Sequence, residues 1–346
     1  MCEKQISIYK LAKHLGYPDS ASLKKILDSI LTKDEAEWMV HLPDNPKHLA
    51  AKIGGDKADL AIGLKNLFMR GLVLISEQSI DGPIYIVDDN PGRFMDMVLF
   101  DPRYHELGEA FVDLWRKFFN EELVFAPRSS DELPFRVIPV EEKIEVERAI
   151  LPFESVSQII QNATRIAVQN CPCRTRERRC ESPLETCISL NETAEYMLNR
   201  QIGREISVDK AMEILKTCEE VGLVHETDNT DHPTIICNCC SCCCIFLRAI
   251  TFFQQEDVVS HSRFFAQIDQ SKCKSCQTCI SRCKFSAISM TSQGAAINPM
   301  ECYGCGLCTS TCPENAIKLI IREAADFIPH DGNQFMQGLT QTPSKK

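Results

Sequence analysis

Twenty cysteines in 346 residues dominate the chemistry open to this chain, and eight of them stand in two copies of one pattern. The first copy is Cys273, Cys276, Cys279 and Cys283; the second is Cys302, Cys305, Cys308 and Cys312, followed by Pro313. Both read C-x2-C-x2-C-x3-C, and every cysteine maps onto its counterpart at an offset of 29 residues. The same offset carries Ile268 to Ile297, Ala287 to Ala316 and Ile288 to Ile317, so packing residues are duplicated along with the thiols. Two-residue gaps let a tightly turning loop point three thiolates at three atoms of one polynuclear metal centre, and the fourth atom must be served from elsewhere. Zinc also uses C-x2-C pairs, but eight cysteines in this register match iron-sulfur ligation better.

The duplicated run and its terminal proline resemble the bacterial-type ferredoxins that hold two 4Fe-4S clusters, over roughly residues 262–325. The resemblance implies a ferredoxin-like fold, one-electron transfer, and a crossing in which the last cysteine of each run ligates the other run's cluster. Carried over residue by residue, one cluster takes Cys273, Cys276, Cys279 and Cys312, and the other Cys302, Cys305, Cys308 and Cys283. Lys284 stands where that family usually has proline, which leaves the turn after Cys283 open. Residues 263–322 hold Arg263, Lys272, Lys274, Arg282, Lys284, Lys318 and Arg322 against Asp269, Glu301 and Glu314. This excess roughly offsets the negative charge of two thiolate-bound clusters, or it marks a docking face for an acidic partner; solvated charge is the plainer reading.

A second constellation lies upstream. One group is Cys171, Cys173, Cys180 and Cys187; the other is the run containing Cys237, Cys239, Cys240, Cys242, Cys243 and Cys244. Exposed thiols oxidise, so six cysteines in eight residues call for a metal. One tetrahedral zinc uses only four ligands, and adjacent cysteines have trouble facing one ion. One or two additional iron-sulfur clusters are therefore the leading expectation, with zinc and a redox-active dithiol as alternatives. The run is loosely similar to the cysteine-rich segments that accompany ferredoxin domains in some multi-cluster proteins of anaerobes. Arg174, Arg176, Arg178 and Arg179 lie between Cys173 and Cys180, where they could raise a cluster's potential, hold an anionic group, or form a solvated basic loop. Cys2 and Cys218 stand apart and read as unremarkable or buried thiols.

Composition narrows the field. A formal charge of −10 opposes general nucleic-acid binding, which needs a basic surface. The first ten residues lack the apolar core of a signal peptide, and Ile235 to Phe253, the nearest apolar run, is interrupted by Asn238, Ser241 and Arg248. The expectation is a cytoplasmic protein with reduced thiols and no transmembrane segment.

The elements that must position these residues suggest an α+β, multi-domain chain. Residues 1–126 read as mainly helical: apolar periodicity marks Ile6 to Leu15 and Leu23 to Leu31, separated by Gly16 and Pro18. A short helix over Pro46 to Ile53, a longer one over Asp56 to Arg70, and β-prone runs Leu72 to Ser76 and Ile84 to Val87 around an Asp81-Gly82-Pro83 turn follow. This order over about residues 34–90 resembles a winged-helix domain. Residues 1–130 carry 16 Lys and Arg against 20 Asp and Glu, so a protein-contact module is favoured over a DNA reader. Tyr104 to Leu123 reads as a helix whose Trp115, Phe118 and Phe119 pack a core. Pro127 to Pro139 reads as a connector into a cysteine-rich α+β domain over 127–255, with helices over Val156 to Ala163 and Val208 to Val221 and strands over Arg165 to Gln169 and Leu223 to His225. The dicluster domain over 262–325 and a flexible tail over 326–346 complete the layout.

The functional expectation is an iron-sulfur electron-transfer protein, a subunit or partner of an anaerobic reductase complex. Gly54-Gly55 sits between helices and fails the dinucleotide fingerprint, and no P-loop is present, so electrons must come from a reductase or another ferredoxin. Two alternatives stand beside it: a redox-sensing winged-helix transcriptional regulator, and a reductase with a catalytic cluster or dithiol in the middle domain. His225 and His232 read as structural residues near the cysteine run.

Overall fold

The computed structural model describes residues 2–126, 133–141, 151–255 and 258–322. The segment 326–346, expected as a tail, lies outside the described residues. Helices and strands mix throughout, and the chain divides into two compact units: Met1–Pro127 with Asn199–Ile202, and Arg128–Leu198 with Gly203–Lys346.

In the first unit local signals set the helix ends. Gly16, at φ +86°, breaks the chain between α1 (Glu3–His14) and α2 (Ala21–Ile30), and the Ser20 hydroxyl caps α2 by accepting from the Leu23 amide. Thr32 and Glu35 form a reciprocal capping box that starts α3 (Lys33–Val40). The apolar pattern leaves α3 unassigned because the helix is short and buries only Ala36 and Met39. Asn45 caps α4 (Pro46–Ile53), and Asp56 caps α5 (Lys57–Met69).

The strands β1 (Leu74–Ser79) and β2 (Gly82–Ile86) pair antiparallel. Their turn is Ile80-Asp81, because Ser79 faces Gly82; Gly82 and Pro83 open β2 instead of forming the expected turn. After α6 (Pro91–Leu99), the helix expected over Tyr104 to Leu123 is divided. Pro102–Leu107 makes a 3-10 turn, Gly108 adopts φ +83°, and only α7 (Glu109–Glu121) is a continuous helix. Trp115 on α7 is fully buried, with Phe94, Phe111 and Phe118 around it at ring-centroid distances of 6.4, 6.4 and 6.1 Å.

The second unit is built on β3 (Phe135–Ile138), α8 (Val156–Asn162), β4 (Ile166–Asn170), α9 (Pro172–Glu177), β5 (Glu185–Leu190), α10 (Asn191–Asn199), β6 (Arg204–Glu205), α11 (Val208–Val221), β7 (Val224–Asp228) and β8 (Ile235–Cys239). Its six strands form one antiparallel sheet in the order β3-β7-β8-β5-β4-β6. The expected connector Pro127 to Pro139 thus supplies a strand, β3. Cysteine and polar residues mask the apolar alternation of β5 and β8, so the sequence pattern does not announce them.

Side chains alternate across a strand, and this sheet uses the two faces differently. One face carries Ile138, Ile166, Val168, Ile188, Leu190 and Ile236, packed under α8 and α11. The other face carries Val137, Val224, Cys237 and Cys239. In the pairing of β7 with β8, Glu226 lies opposite Cys237 and Val224 opposite Cys239, so Glu226 joins the cysteine-bearing face.

Beyond the sheet, α12 (Ile245–Thr251) leads to β9 (Phe264–Ile268), α13 (Thr278–Arg282), β10 (Ile288–Thr291), β11 (Gly294–Ile297), α14 (Leu307–Thr311) and β12 (Ile317–Ile321). The internal repeat is visible here: α13 and α14 begin and end at positions 29 residues apart. β9 pairs with β12, and β10 with β11. No helix among the described residues is long and apolar enough to cross a membrane.

Both tryptophans, Trp38 and Trp115, lie in the first unit, so tryptophan fluorescence reports that unit alone. Trp115→Ala is expected to lower its unfolding free energy by about 3–5 kcal/mol. Urea unfolding followed at Trp38 reads the loss, and iron content, held in the other unit, should stay at the unsubstituted level.

Candidate metal centres

The eight cysteines of the duplicated run line two pockets of similar size. One is lined by Cys273, Cys276, Cys279 and Cys312; the other by Cys302, Cys305, Cys308 and Cys283. Each pocket thus collects three thiols of one run and the last thiol of the other.

Backbone conformation explains how a short loop achieves this. Left-handed residues recur at the repeat offset: Ser275 with Gly304 (φ 57° and 70°), Gln277 with Gly306 (66° and 79°), and Ser286 with Asn315 (58° and 46°). The Ser286–Asn315 pair shows that the turn after Cys283 matches the turn after Cys312, even though Lys284 stands in place of proline. Gly304 could not be another residue without displacement, since a Cβ there would strike the Phe264 carbonyl and the Ser262 hydroxyl. The amides of Ala266 and Ala316 donate to Cys302 Sγ at 3.4 Å and Cys312 Sγ at 3.3 Å, an arrangement that favours thiolate.

Burial pushes the Cys305 thiol up to about 12 and raises Cys308, Cys283 and Cys279 as well. Cys276 is exposed and is lowered by the Thr278 hydroxyl beside it. A buried thiol such as Cys305 holds its proton, which a thiophilic cation must displace to bind there.

The middle-domain cysteines regroup in space. Cys180 leaves its sequence neighbours and meets Cys240, Cys242 and Cys243, four sulfurs all within 4.8 Å of one another. Cys180 Sγ lies 3.7 Å from Cys240 and 3.8 Å from Cys243, and Cys242 lies 3.7 Å from Cys243. The quartet shares its charge unevenly: hydrogen bonding from Cys243 draws Cys240 down to about 5, while burial pushes Cys242 up to about 12.

The remaining thiols gather on the cysteine-bearing face of the sheet and its rim. Glu226, Cys239 and Cys244 bring their donor atoms within 4.8 Å of one another, and Cys173, at the start of α9, interacts with Cys171 and Cys244. Cys187 and Cys237 interact across β5 and β8, and hydrogen bonds from Cys187 and Cys239 draw Cys237 down to about 5. Burial raises Glu226, and the nearby Cys237 adds to the effect. Sequence reasoning missed Glu226. Its only local signal is a polar residue at an inward position of a β-prone run.

The four arginines divide as well. Arg174 and Arg176 are buried, at 4 % and 0 % exposure, so they are not part of a solvated loop. Arg174 donates to the Asn238 carbonyl at 2.8 Å and to the Thr186 hydroxyl. Burial works against its charge, but the thiols of Cys171, Cys240 and Cys239 outweigh burial and raise it, so one guanidinium serves both thiol groups. Glu177, fully buried, receives Arg176 at 3.1 Å and Arg179 at 3.0 Å. Arg178 and Arg179 are exposed.

The dicluster pockets and the sheet share a core. Cys239, Cys244, Val224 and Leu247 pack with Phe285, Tyr303 and Leu307, and Cys283 and Cys305 border the same cluster. Tyr303 stacks on Phe285 at 4.4 Å and on His261 at 4.0 Å. The Val140 amide donates to the Cys305 carbonyl at 3.0 Å, and Arg263 pairs with Glu154 through two bonds of 2.6 and 2.7 Å.

With this geometry in place, comparison with known families is informative. The family model for 4Fe-4S dicluster domains matches residues 266–319. No curated protein and no solved structure matches the chain. Residues 266–319 are therefore a 4Fe-4S dicluster domain, and with the two upstream cysteine groups they support iron-sulfur electron transfer.

Gly304→Ala is expected to open the pocket of Cys302, Cys305, Cys308 and Cys283 and remove about four irons per chain, the content of one cube. Ser275→Ala, at the equivalent left-handed position of the other run, should retain full iron. Metal analysis of anaerobically purified protein distinguishes the two.

Proposed function

We propose that this chain is a multi-centre electron carrier, in which the dicluster domain exchanges electrons with a redox partner and passes them to or from an iron-sulfur site in the middle domain. The single observation that carries the reading is a continuity of thiols: those of one dicluster pocket and those of the sheet face border one apolar cluster, and the run that carries Cys239 and Cys244 of that face also carries Cys240, Cys242 and Cys243 of the quartet. A 4Fe-4S centre supplies one-electron chemistry with little structural rearrangement.

In this reading Cys273, Cys276, Cys279 and Cys312 hold one cluster and Cys302, Cys305, Cys308 and Cys283 the other. Cys180, Cys240, Cys242 and Cys243 hold a single iron: their sulfurs, 3.7 to 3.8 Å apart, match the edge of a tetrahedron with metal–sulfur bonds of about 2.3 Å. Tyr303 and Phe285 fill the core between the pocket of Cys302, Cys305, Cys308 and Cys283 and the sheet, and Arg174 supplies fixed positive charge to the third site.

We assign domains 1–126, 127–255 and 262–325, with 326–346 as a tail, the last domain ferredoxin-like. The first contains α4, α5 and the β1–β2 hairpin in winged-helix order, and we read it as a protein-contact module. Its exposed Ile62 and Ile80 and its net negative charge suit a protein partner. The exposed residues of α5 mix Lys57 and Lys65 with Asp59 and Ile62, a poor match to phosphate, so the regulator reading gains no support from this helix. The partner is a reductase or another ferredoxin in an anaerobic, cytoplasmic setting.

Iron and sulfide analysis of the anaerobic protein, with electron paramagnetic resonance of the reduced form, tests the reading. About nine irons per chain are expected, falling by about one in Cys242→Ser. A native protein with about eight irons, unchanged by Cys242→Ser, would confine the clusters to the dicluster domain and end the relay.

A further inference from the structure

Two thiols of the sheet face, Cys187 and Cys237, belong neither to the dicluster pockets nor to the quartet. β5 and β8 run antiparallel with Ile188 opposite Ile236 and Ser189 opposite Ile235, and the same register sets Cys187 opposite Cys237. The Leu190 amide donates to the Thr234 carbonyl at 2.8 Å, so hydrogen-bonded pairs fall at Leu190–Thr234 and, by alternation, at Ile188–Ile236. Cys187 and Cys237 therefore form a pair without backbone hydrogen bonds, where Cα atoms approach to about 4.5 Å. That separation lies within the range of about 4.4–6.8 Å that a disulfide spans. Their side chains share one face of the sheet, and Cys187 hydrogen-bonds to the Cys237 sulfur.

The neighbouring thiols are less well placed for such a bond. Cys237 and Cys239 are two residues apart on one strand, about 6.6 Å, with parallel Cα–Cβ bonds, whereas a disulfide needs Cβ atoms about 3.5–4.5 Å apart. Cys244 faces Glu226 Oε2 at 3.7 Å. Glu226 itself stands opposite Cys237 on β7, and burial raises its carboxyl, so a neutral acid flanks the pair. The two thiols differ in access: Cys187 is buried and Cys237 is partly exposed. Cys237 also borders the same apolar cluster as Cys283 and Cys305, which line one dicluster pocket. A thiol pair built for two-electron chemistry thus adjoins a one-electron centre.

We propose that Cys187 and Cys237 are a dithiol–disulfide couple through which electrons of the dicluster domain reduce a substrate disulfide. This rests on the electron-carrier reading above. Cys237, the accessible member, attacks the substrate as thiolate and forms a mixed disulfide, releasing one substrate thiol. Cys187, the buried member, then attacks Cys237 Sγ, so the mixed disulfide breaks, the second substrate thiol leaves and an Sγ–Sγ bond joins β5 to β8. Two electrons, one from each reduced 4Fe-4S cluster, and two protons from water break that bond and restore the two thiols. Each turnover converts one disulfide, two electrons and two protons into two thiols.

The test uses the anaerobically reconstituted full chain, with oxidised glutathione as the probe disulfide. Peptide mass spectrometry after alkylation should find Cys187 linked to Cys237 in the unsubstituted protein, a measurement that needs no variant. Cys187→Ser should instead hold glutathione on Cys237, and Cys237→Ser should hold none on Cys187. Both variants, checked for native circular dichroism, should keep the iron content of the unsubstituted protein, since neither residue is a ligand. The clusters are then reduced with dithionite, the excess is removed and oxidised glutathione is added. The paramagnetic signal of the reduced clusters should decay at least about tenfold faster in the unsubstituted protein than in Cys237→Ser, with release of glutathione thiol. Absence of the linked peptides, equal decay in the two proteins, or loss of iron in either serine variant would overturn the proposal. About eight irons, unchanged by Cys242→Ser, with linked peptides and fast decay intact, would end the relay to the quartet and leave the couple standing.

Discussion

The structure depends on gathering sulfurs into shared pockets. The middle-domain cysteines outside Cys218 lie in groups whose thiols sit within hydrogen-bonding reach of one another, the eight of the duplicated run line two pockets, and burial raises many of them toward the protonated form. Such crowding is poorly suited to free thiolates, which repel, and only weakly rewarded for thiols, which make poor hydrogen bonds. A thiophilic polycation turns the crowding into ligation, and the geometry around each group makes sense on that basis.

The remaining architecture serves this requirement by two different devices. In the dicluster domain, left-handed residues at matched positions of the repeat turn the loop tightly enough to aim three sulfurs inward, and the interlocking of the two runs supplies the fourth. In the middle domain, an antiparallel sheet separates an apolar face, covered by α8 and α11, from a face that carries thiols and Glu226. The first device is local and the second is not. Cys218 marks the contrast: it lies on the buried face of α11 in the apolar core, where burial pushes its thiol up to about 12, and it belongs to neither upstream group of converging donors.

Charge is distributed with the same economy. Arg174 and Arg176 are buried among the thiols and bonded to carbonyls, a hydroxyl and Glu177, so they act as fixed counter-charges for anionic centres and cannot also clasp a mobile ligand. Arg263 with Glu154 ties β9 to the segment before α8, which helps hold the dicluster domain against the sheet. The aromatic pair Tyr303 and Phe285 fills the space between.

The amino-acid sequence by itself determined the two C-x2-C-x2-C-x3-C runs, their offset and their terminal proline, and so the kind of centre they suit. Helices with strong caps, such as those begun by Asn45, Asp56 and Ser207, were equally legible, because capping is local. Only the tertiary structure divided the upstream cysteines. Cys180 lies within nine residues of Cys171 in the chain yet joins Cys240, 60 positions away, because strand pairing and the turn after α9 outrank sequence proximity. Glu226 was invisible for the same reason. An inward polar residue in β7 acquires meaning only when β8 lies beside it and sets Cys237 opposite, and pairing between strands is a long-range contact that no local pattern encodes.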